Sequence, residues 1–137
     1  MPITIQTFGS ATLYTISNPT NTFSFSCTNY GATLISIIVN SKDILLGYDT
    51  LEGYLSPTNP YFGATVGRVA NRVANGTFKL NSKTYNVPQN NSPNMLHGGT
   101  VGFDKQHFTT TSVDELTDSV TFQYISPDGN QGFPGTW

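Results

Sequence analysis

From residue 23 the chain reads Phe-Ser-Phe-Ser-Cys-Thr, with an apolar residue at every second position. A repeat of two is the repeat of a β-strand, whose successive side chains point to opposite faces, so this segment predicts a strand burying Phe23, Phe25 and Cys27 on one side. It runs into a turn at Asn29-Tyr30-Gly31 and then into residues 32–39, rich in branched side chains. Similar runs predict strands over residues 4–8, 12–16, 44–46, 107–113 and 120–125. Residues 76–80 and 83–87 flank the two-residue turn Asn81-Ser82 and predict a hairpin, and 114–118 predicts a second hairpin turn. No window of about twelve residues carries a helical stripe, which leaves room for one short helical turn near residues 49–54. Short antiparallel strands with closely spaced turns predict an all-β sandwich or barrel rather than a parallel α/β sheet. In a sandwich, Phe23, Phe25, Ile35 and Ile37 need an opposing sheet.

Composition narrows the function. Charged residues make up 10% of the 137 residues, against about 25% in an average soluble protein. In their place stand 20 Thr, 13 Asn and 12 Ser. The net charge is −2 without a run of either sign. The basic footprint that nucleic-acid binding requires is missing, so a small neutral partner is expected and nucleic acid is not. No apolar run is longer than Ile37-Ile38-Val39, and the N-terminus has neither a basic segment nor an apolar one. A signal peptide, a transmembrane helix and a membrane partner are therefore not expected. Cys27 is the single cysteine and cannot form an internal disulfide, and no Cys/His cluster has metal-ligand spacing, which fits a cytoplasmic protein with no metal. On its strand Cys27 reads as a small buried hydrophobe. Asn75-Gly-Thr and Asn90-Asn-Ser match the glycosylation acceptor pattern, but without a secretory signal the match carries little weight.

The candidate chemistry lies between residues 61 and 103. The two arginines, Arg68 and Arg72, are four apart, a spacing that puts both on one side of a strand or helical turn. They are either structural residues or ligand donors. Asn71 beside Arg72 favours the second role, because an amide next to a fork of N–H donors suits the hydroxyl and ring oxygens of a sugar. Gly63 and Gly67 do not make a phosphate loop, since its Lys-Ser/Thr ending is missing. His97 precedes Gly98 and Gly99, where backbone can approach a ligand closely, and an imidazole there can polarise or protonate an oxygen; a loop histidine bonded only to backbone is the alternative. His107 reads as a packing or surface residue at the start of a strand, and Asp104 and Lys105 as a local surface pair.

The run Gly63-Ala-Thr-Val-Gly-Arg-Val-Ala-Asn-Arg72, then Asn75-Gly-Thr-Phe78, Asn94-Met-Leu-His-Gly-Gly99, Gly102-Phe-Asp104, Ser126-Pro-Asp-Gly129 and Gly132-Phe-Pro-Gly135 closely resembles the aldose 1-epimerase, or galactose mutarotase, family. Leu46-Gly-Tyr-Asp49 and Leu51-Glu-Gly-Tyr54 fit the same pattern. The resemblance covers essentially all of the chain but less than half of a family member, so it identifies residues 1–137 as the N-terminal portion of a single antiparallel β-sandwich of the galactose mutarotase type, incomplete here. It implies an isomerase of carbohydrate metabolism that interconverts the α and β anomers of an aldohexose, galactose or glucose, without a cofactor or metal. A glutamate base takes the proton of the C1 hydroxyl, a histidine acid protonates the ring oxygen, and the opened ring recloses as the other anomer. Matched by motif, Asn71, Arg72 and His97 correspond to sugar-binding residues, with His97 assisting at the ring oxygen. The family's principal histidine acid, a later sugar-binding aspartate and the glutamate base fall after the Phe133-Pro-Gly corner and beyond Trp137. These 137 residues alone are therefore expected to hold part of the sugar site and to be inactive. A non-catalytic carbohydrate-binding or sugar-sensing module that kept Asn71, Arg72 and His97 is the alternative from a different class. A relative acting on hexose 6-phosphates lacks support, since no second basic cluster would hold the phosphate. The oligomeric state is left open.

Overall fold

The computed structural model describes residues 2–137. In chain order they form β1 Ile3–Phe8, β2 Ala11–Ser17, β3 Phe23–Thr28, β4 Thr33–Val39, β5 Lys42–Asp43, the short helix α1 Leu51–Leu55, β6 Arg72–Val73, β7 Thr77–Leu80, β8 Lys83–Asn86, β9 Met95–Leu96, β10 Thr109–Asp114 and β11 Ser119–Gln123. Every strand pairing is antiparallel. The contacts sort into two compact units, one joining the chain up to Thr65 with His107–Gln123, the other joining Val66–Gln106 with Tyr124–Trp137.

The first unit is a five-stranded meander in the order β1-β2-β3-β4-β5. Its register lines up Ile3, Ile16, Phe25 and Ile37 across four strands, and beside them Ile5, Tyr14, Cys27 and Leu34. These rows give the sheet an apolar face, and the β10–β11 hairpin packs there. The Tyr14 ring meets Phe122 edge-on at 5.5 Å, and its hydroxyl shares a 2.9 Å hydrogen bond with the Thr110 hydroxyl. Ile16 is 0% exposed at the centre, a burial that stabilises the unit by about 1.5–3 kcal/mol. Phe8 lies five residues beyond Ile3 and therefore faces the other way. There it joins Ile35 and the α1 residues Leu51 and Tyr54 in a second buried cluster. Leu51 and Tyr54 stand three apart, which puts both on one face of a single helical turn.

Three expectations need correction. The strict alternation of β3 breaks at a bulge, because Ser26 pairs with Ser36 but Cys27 pairs with Leu34, leaving Ile35 as the extra residue. Past this point Ser26, Cys27 and Thr28 are all buried, while Phe23, at the far end of the strand, is 38% exposed. Residues 44–46 do not form a strand. The Asp43 carboxylate accepts the N–H groups of Ile37 and Leu45 at 3.1 and 3.0 Å and turns the chain out of the sheet after β5. His107 falls outside β10, making an isolated bridge to Tyr30 with the two rings edge-on at 5.1 Å. This agrees with a packing role.

The second unit is built from the β7–β8 hairpin, the two-stranded β6–β9 ribbon and long loops. Asn81 and Ser82 have φ of 49° and 63°, the left-handed pair that a two-residue hairpin turn requires. Phe78 opposes Tyr85 with their rings stacked at 5.4 Å, and Phe78 also stacks on Phe133 at 5.7 Å. Val87, Met95 and Phe133 form the buried core, with Val73 packed against them. Because Val73 pairs with Met95, the core anchors the ribbon.

Candidate functional site

The β6–β9 ribbon pairs Arg72 with Leu96 and so brings Asn71, just before one strand, beside His97, just after the other. Two reciprocal bonds close the junction. The His97 N–H donates to the Asn71 carbonyl at 3.0 Å, and the Asn71 N–H donates to Nδ1 of the His97 ring at 3.1 Å. With Nδ1 accepting, the neutral imidazole carries its proton on Nε2, which makes that edge a donor. Both residues are left-handed, Asn71 at φ 62° and His97 at φ 50°. The turn continues through Gly98 at φ 87°, where a Cβ would land on the Gly67 carbonyl; only glycine fits there.

Arg72 is exposed. Its Nε donates to Oδ1 of Asn91 at 2.9 Å, and its two terminal amino groups take no partner among the described residues. The Asn71 amide is likewise exposed and unpartnered among them. The arrangement therefore offers several N–H donors on one ribbon, a surface suited to a neutral ligand rich in oxygen.

The loop from Pro88 to Asn94 supports this ribbon. Nδ2 of Asn90 donates to the carbonyls of Leu96 and Gly99 at 3.0 and 3.1 Å, and its Oδ1 accepts the Leu96 N–H at 2.8 Å. Oδ1 of Asn94 accepts the Asn75 N–H at 3.1 Å, and Gln89 donates to the Asn75 carbonyl at 2.9 Å. The acceptor pattern at Asn90 thus coincides with an amide already committed to the loop. Asn90 and Asn91 were missed by reading the sequence for chemistry. Their only signal there is a density of Asn around a loop, a composition typical of turns.

The two arginines divide. Residues 65–71 are neither strand nor helix, so a spacing of four does not fix a common side. Arg68 turns into its own unit, donating from Nε to the Ser126 hydroxyl at 2.9 Å, from Nη2 to the carbonyls of Ser126 and Pro127 at 3.0 and 2.7 Å, and from Nη1 to the Pro134 carbonyl at 3.0 Å. It ties the Ser126-Pro-Asp-Gly and Phe-Pro-Gly segments together and is structural. Lys105 and Asp104 do pair, at 2.6 Å, but not as a surface couple: the Asp104 side chain is 9% exposed and its Oδ1 has no hydrogen-bond partner. The 3-10 turn Phe103–Lys105 folds the carboxylate inward, where Oδ1 lies against Gly102. Cys27 is buried, and burial pushes its thiol up to about 11. His107 belongs to the first unit. Among the described residues no group of three His, Cys, Asp or Glu side chains could hold a metal ion, and no helix is long and apolar enough to cross a membrane.

Comparison with known proteins bears on this ribbon and its loops. The sequence profile of the aldose 1-epimerase family matches residues 12–137. The chain belongs to the aldose 1-epimerase family. It is 48% identical over 112 residues to the galactose mutarotase of Bos taurus and 46% identical over 112 residues to that of Homo sapiens, in each case across 78% of this chain and 32% of the relative. The chain thus spans about a third of the length of these relatives. Among solved structures, it superposes on an aldose epimerase homologue from C. elegans with a TM-score of 0.82 at 28% identity, covering 93% of this chain and 39% of the other. For the galactose 1-epimerase of Lactobacillus acidophilus the TM-score is 0.79 at 27% identity, covering 98% and 41%. The all-β antiparallel fold of the galactose mutarotase type is therefore present, in part, in these residues.

Proposed function

We propose that the protein acts as a cytoplasmic aldose 1-epimerase, interconverting the α and β anomers of an aldohexose such as galactose or glucose, and that Asn71, Arg72 and His97 form part of its sugar site. We also infer that residues 1–137 are the N-terminal portion of one β-sandwich domain, a reading supported by the family match running unbroken through both compact units. The observation that carries the functional reading is the Asn71–His97 junction beside the exposed Arg72 fork. Arg72 donates to sugar hydroxyls through its terminal amino groups, and Asn71 adds an amide that both donates and accepts. His97 directs its Nε2–H at the ring oxygen and stabilises the charge that builds there as the C1–O bond breaks. Opening the ring also needs a base at the C1 hydroxyl and an acid that protonates the ring oxygen, with His97 only assisting there; the resemblance assigns the base to a glutamate and the principal acid to a histidine, both outside these residues.

Polarimetry of freshly dissolved α-glucose with the natural protein tests the assignment. Arg72→Ala is expected to raise KM, and His97→Asn to lower turnover at least about tenfold by weakening polarisation of the ring oxygen. Wild-type rates in both variants would show that other residues hold the sugar.

A further inference from the structure

We propose that Asn90 and Asn91 act as one positioning device for the sugar site, Asn91 holding the guanidinium of Arg72 and Asn90 holding the turn that carries His97. The inference rests on the reading of Arg72 and His97 as sugar-binding residues and adds two side chains that touch no sugar themselves. Asn91 is itself held from both sides, since its N–H donates to the Asn94 carbonyl at 3.0 Å and its carbonyl accepts the Asn94 N–H at 2.9 Å. The Asn91 backbone is thus anchored, and from it Oδ1 takes the Arg72 Nε without engaging the terminal amino groups. A long exposed arginine otherwise loses rotamer freedom when it binds; an acceptor on a closed loop removes part of that loss beforehand.

Asn90 does the equivalent for His97. Its three hydrogen bonds fall on Leu96 and Gly99, the residues that bracket His97 and Gly98. The bracketed turn runs through φ of 50°, 87° and 109° at residues 97, 98 and 99, a conformation that an ordinary chain leaves readily. Only an amide can donate to two carbonyls and accept an N–H from one position. The two asparagines consequently have different chemical requirements. Asn91 needs only to accept, whereas Asn90 must donate and accept.

This difference supplies the test, made on the natural protein with mutarotation kinetics and a melting temperature for each variant. Asn91→Leu is expected to lower kcat/KM about tenfold, mainly through KM, the loss that corresponds to one hydrogen bond to a charged group. Asn91→Asp, which keeps the acceptor, should recover most of that loss. Asn90→Asp, which keeps the acceptor but loses both donors, should lower kcat, and Asn90→Ser, smaller and uncharged, should do the same. In an Arg72→Ala background Asn91→Leu should have no further effect, and in a His97→Asn background neither should Asn90→Asp. Equal losses from Asn91→Leu with and without Arg72, or an Asn91→Asp variant as poor as Asn91→Leu, would overturn the positioning role while leaving the sugar site in place. An Arg72→Ala variant with unchanged kcat/KM would overturn the sugar-site reading itself, and the positioning role with it.

Discussion

Arg68→Ala removes the side chain that joins two segments of the second unit, and its cost can be worked from the four bonds it makes. The Pro127 carbonyl is exposed and recovers water when the guanidinium is gone, so that bond contributes little. The Ser126 residue is 0% exposed; its hydroxyl loses its charge-assisted partner with little access to water, at about 1–3 kcal/mol for a group left unsatisfied, while its carbonyl keeps the Trp137 N–H at 2.8 Å and loses less. The Pro134 carbonyl, partly buried, adds less. The sum is about 2 kcal/mol, a sizeable fraction of the stability of an ordinary domain. Arg68→Lys keeps the charge but cannot bridge three carbonyls and a hydroxyl from one plane, so it should restore no more than about 1 kcal/mol. Urea unfolding of the natural protein, followed by fluorescence and compared at equal m-value, measures both variants. If Arg68→Ala costs less than about 1 kcal/mol, or if Arg68→Lys is fully wild type, the side chain does not clamp these segments as described.

Three further outcomes are expected. Ser82→Gly should raise stability by about 1 kcal/mol in thermal denaturation, because Ser82 sits at φ 63° in the hairpin turn, where glycine is unstrained. Cys27 should react slowly with iodoacetamide at pH 8 until the protein is unfolded; with its thiol raised from 9.0 to about 11, the folded state keeps the proton over a range in which the unfolded state loses it, so stability should fall as pH rises from 9 towards 11. Gly98→Ala, which drives a Cβ into the Gly67 carbonyl, should displace His97 and depress turnover while Arg72→Ala acts chiefly on KM, a contrast read directly from steady-state kinetics.

Four of the five strands of the meander, β1 to β4, were legible from alternation or a run of branched residues between turn residues, and the Asn81-Ser82 hairpin because its turn chemistry is local. What was hidden depends on pairing between distant segments. The bulge at Ser26 and Cys27 appears only once β4 is laid beside β3, and the exit of the chain after Asp43 depends on a carboxylate reaching back to Ile37. The ribbon of β6 and β9 is two residues per strand, too short to carry a period, yet it is what joins Asn71 and Arg72 to His97. Arg68 and Arg72 looked equivalent by spacing and differ entirely in partners, because the chain between them is irregular. Asp104 looked solvated beside Lys105, yet its side chain is largely covered, because the turn at Phe103 folds inward. Asn71, Arg72 and His97 were singled out where a motif named the residue type; Asn90 and Asn91, whose side chains bond to Arg72, Leu96 and Gly99, have no signature apart from the loop they stabilise.

The most direct test follows optical rotation after fresh α-galactose or α-glucose is added to the natural protein, with chelator present and no cofactor supplied. Relaxation to the anomeric equilibrium far faster than in buffer, proportional to protein concentration and weakened by Arg72→Ala and His97→Asn, is the predicted result. Sugar binding with rotation relaxing at the buffer rate would contradict it, and would make the protein a carbohydrate-binding module in place of an epimerase.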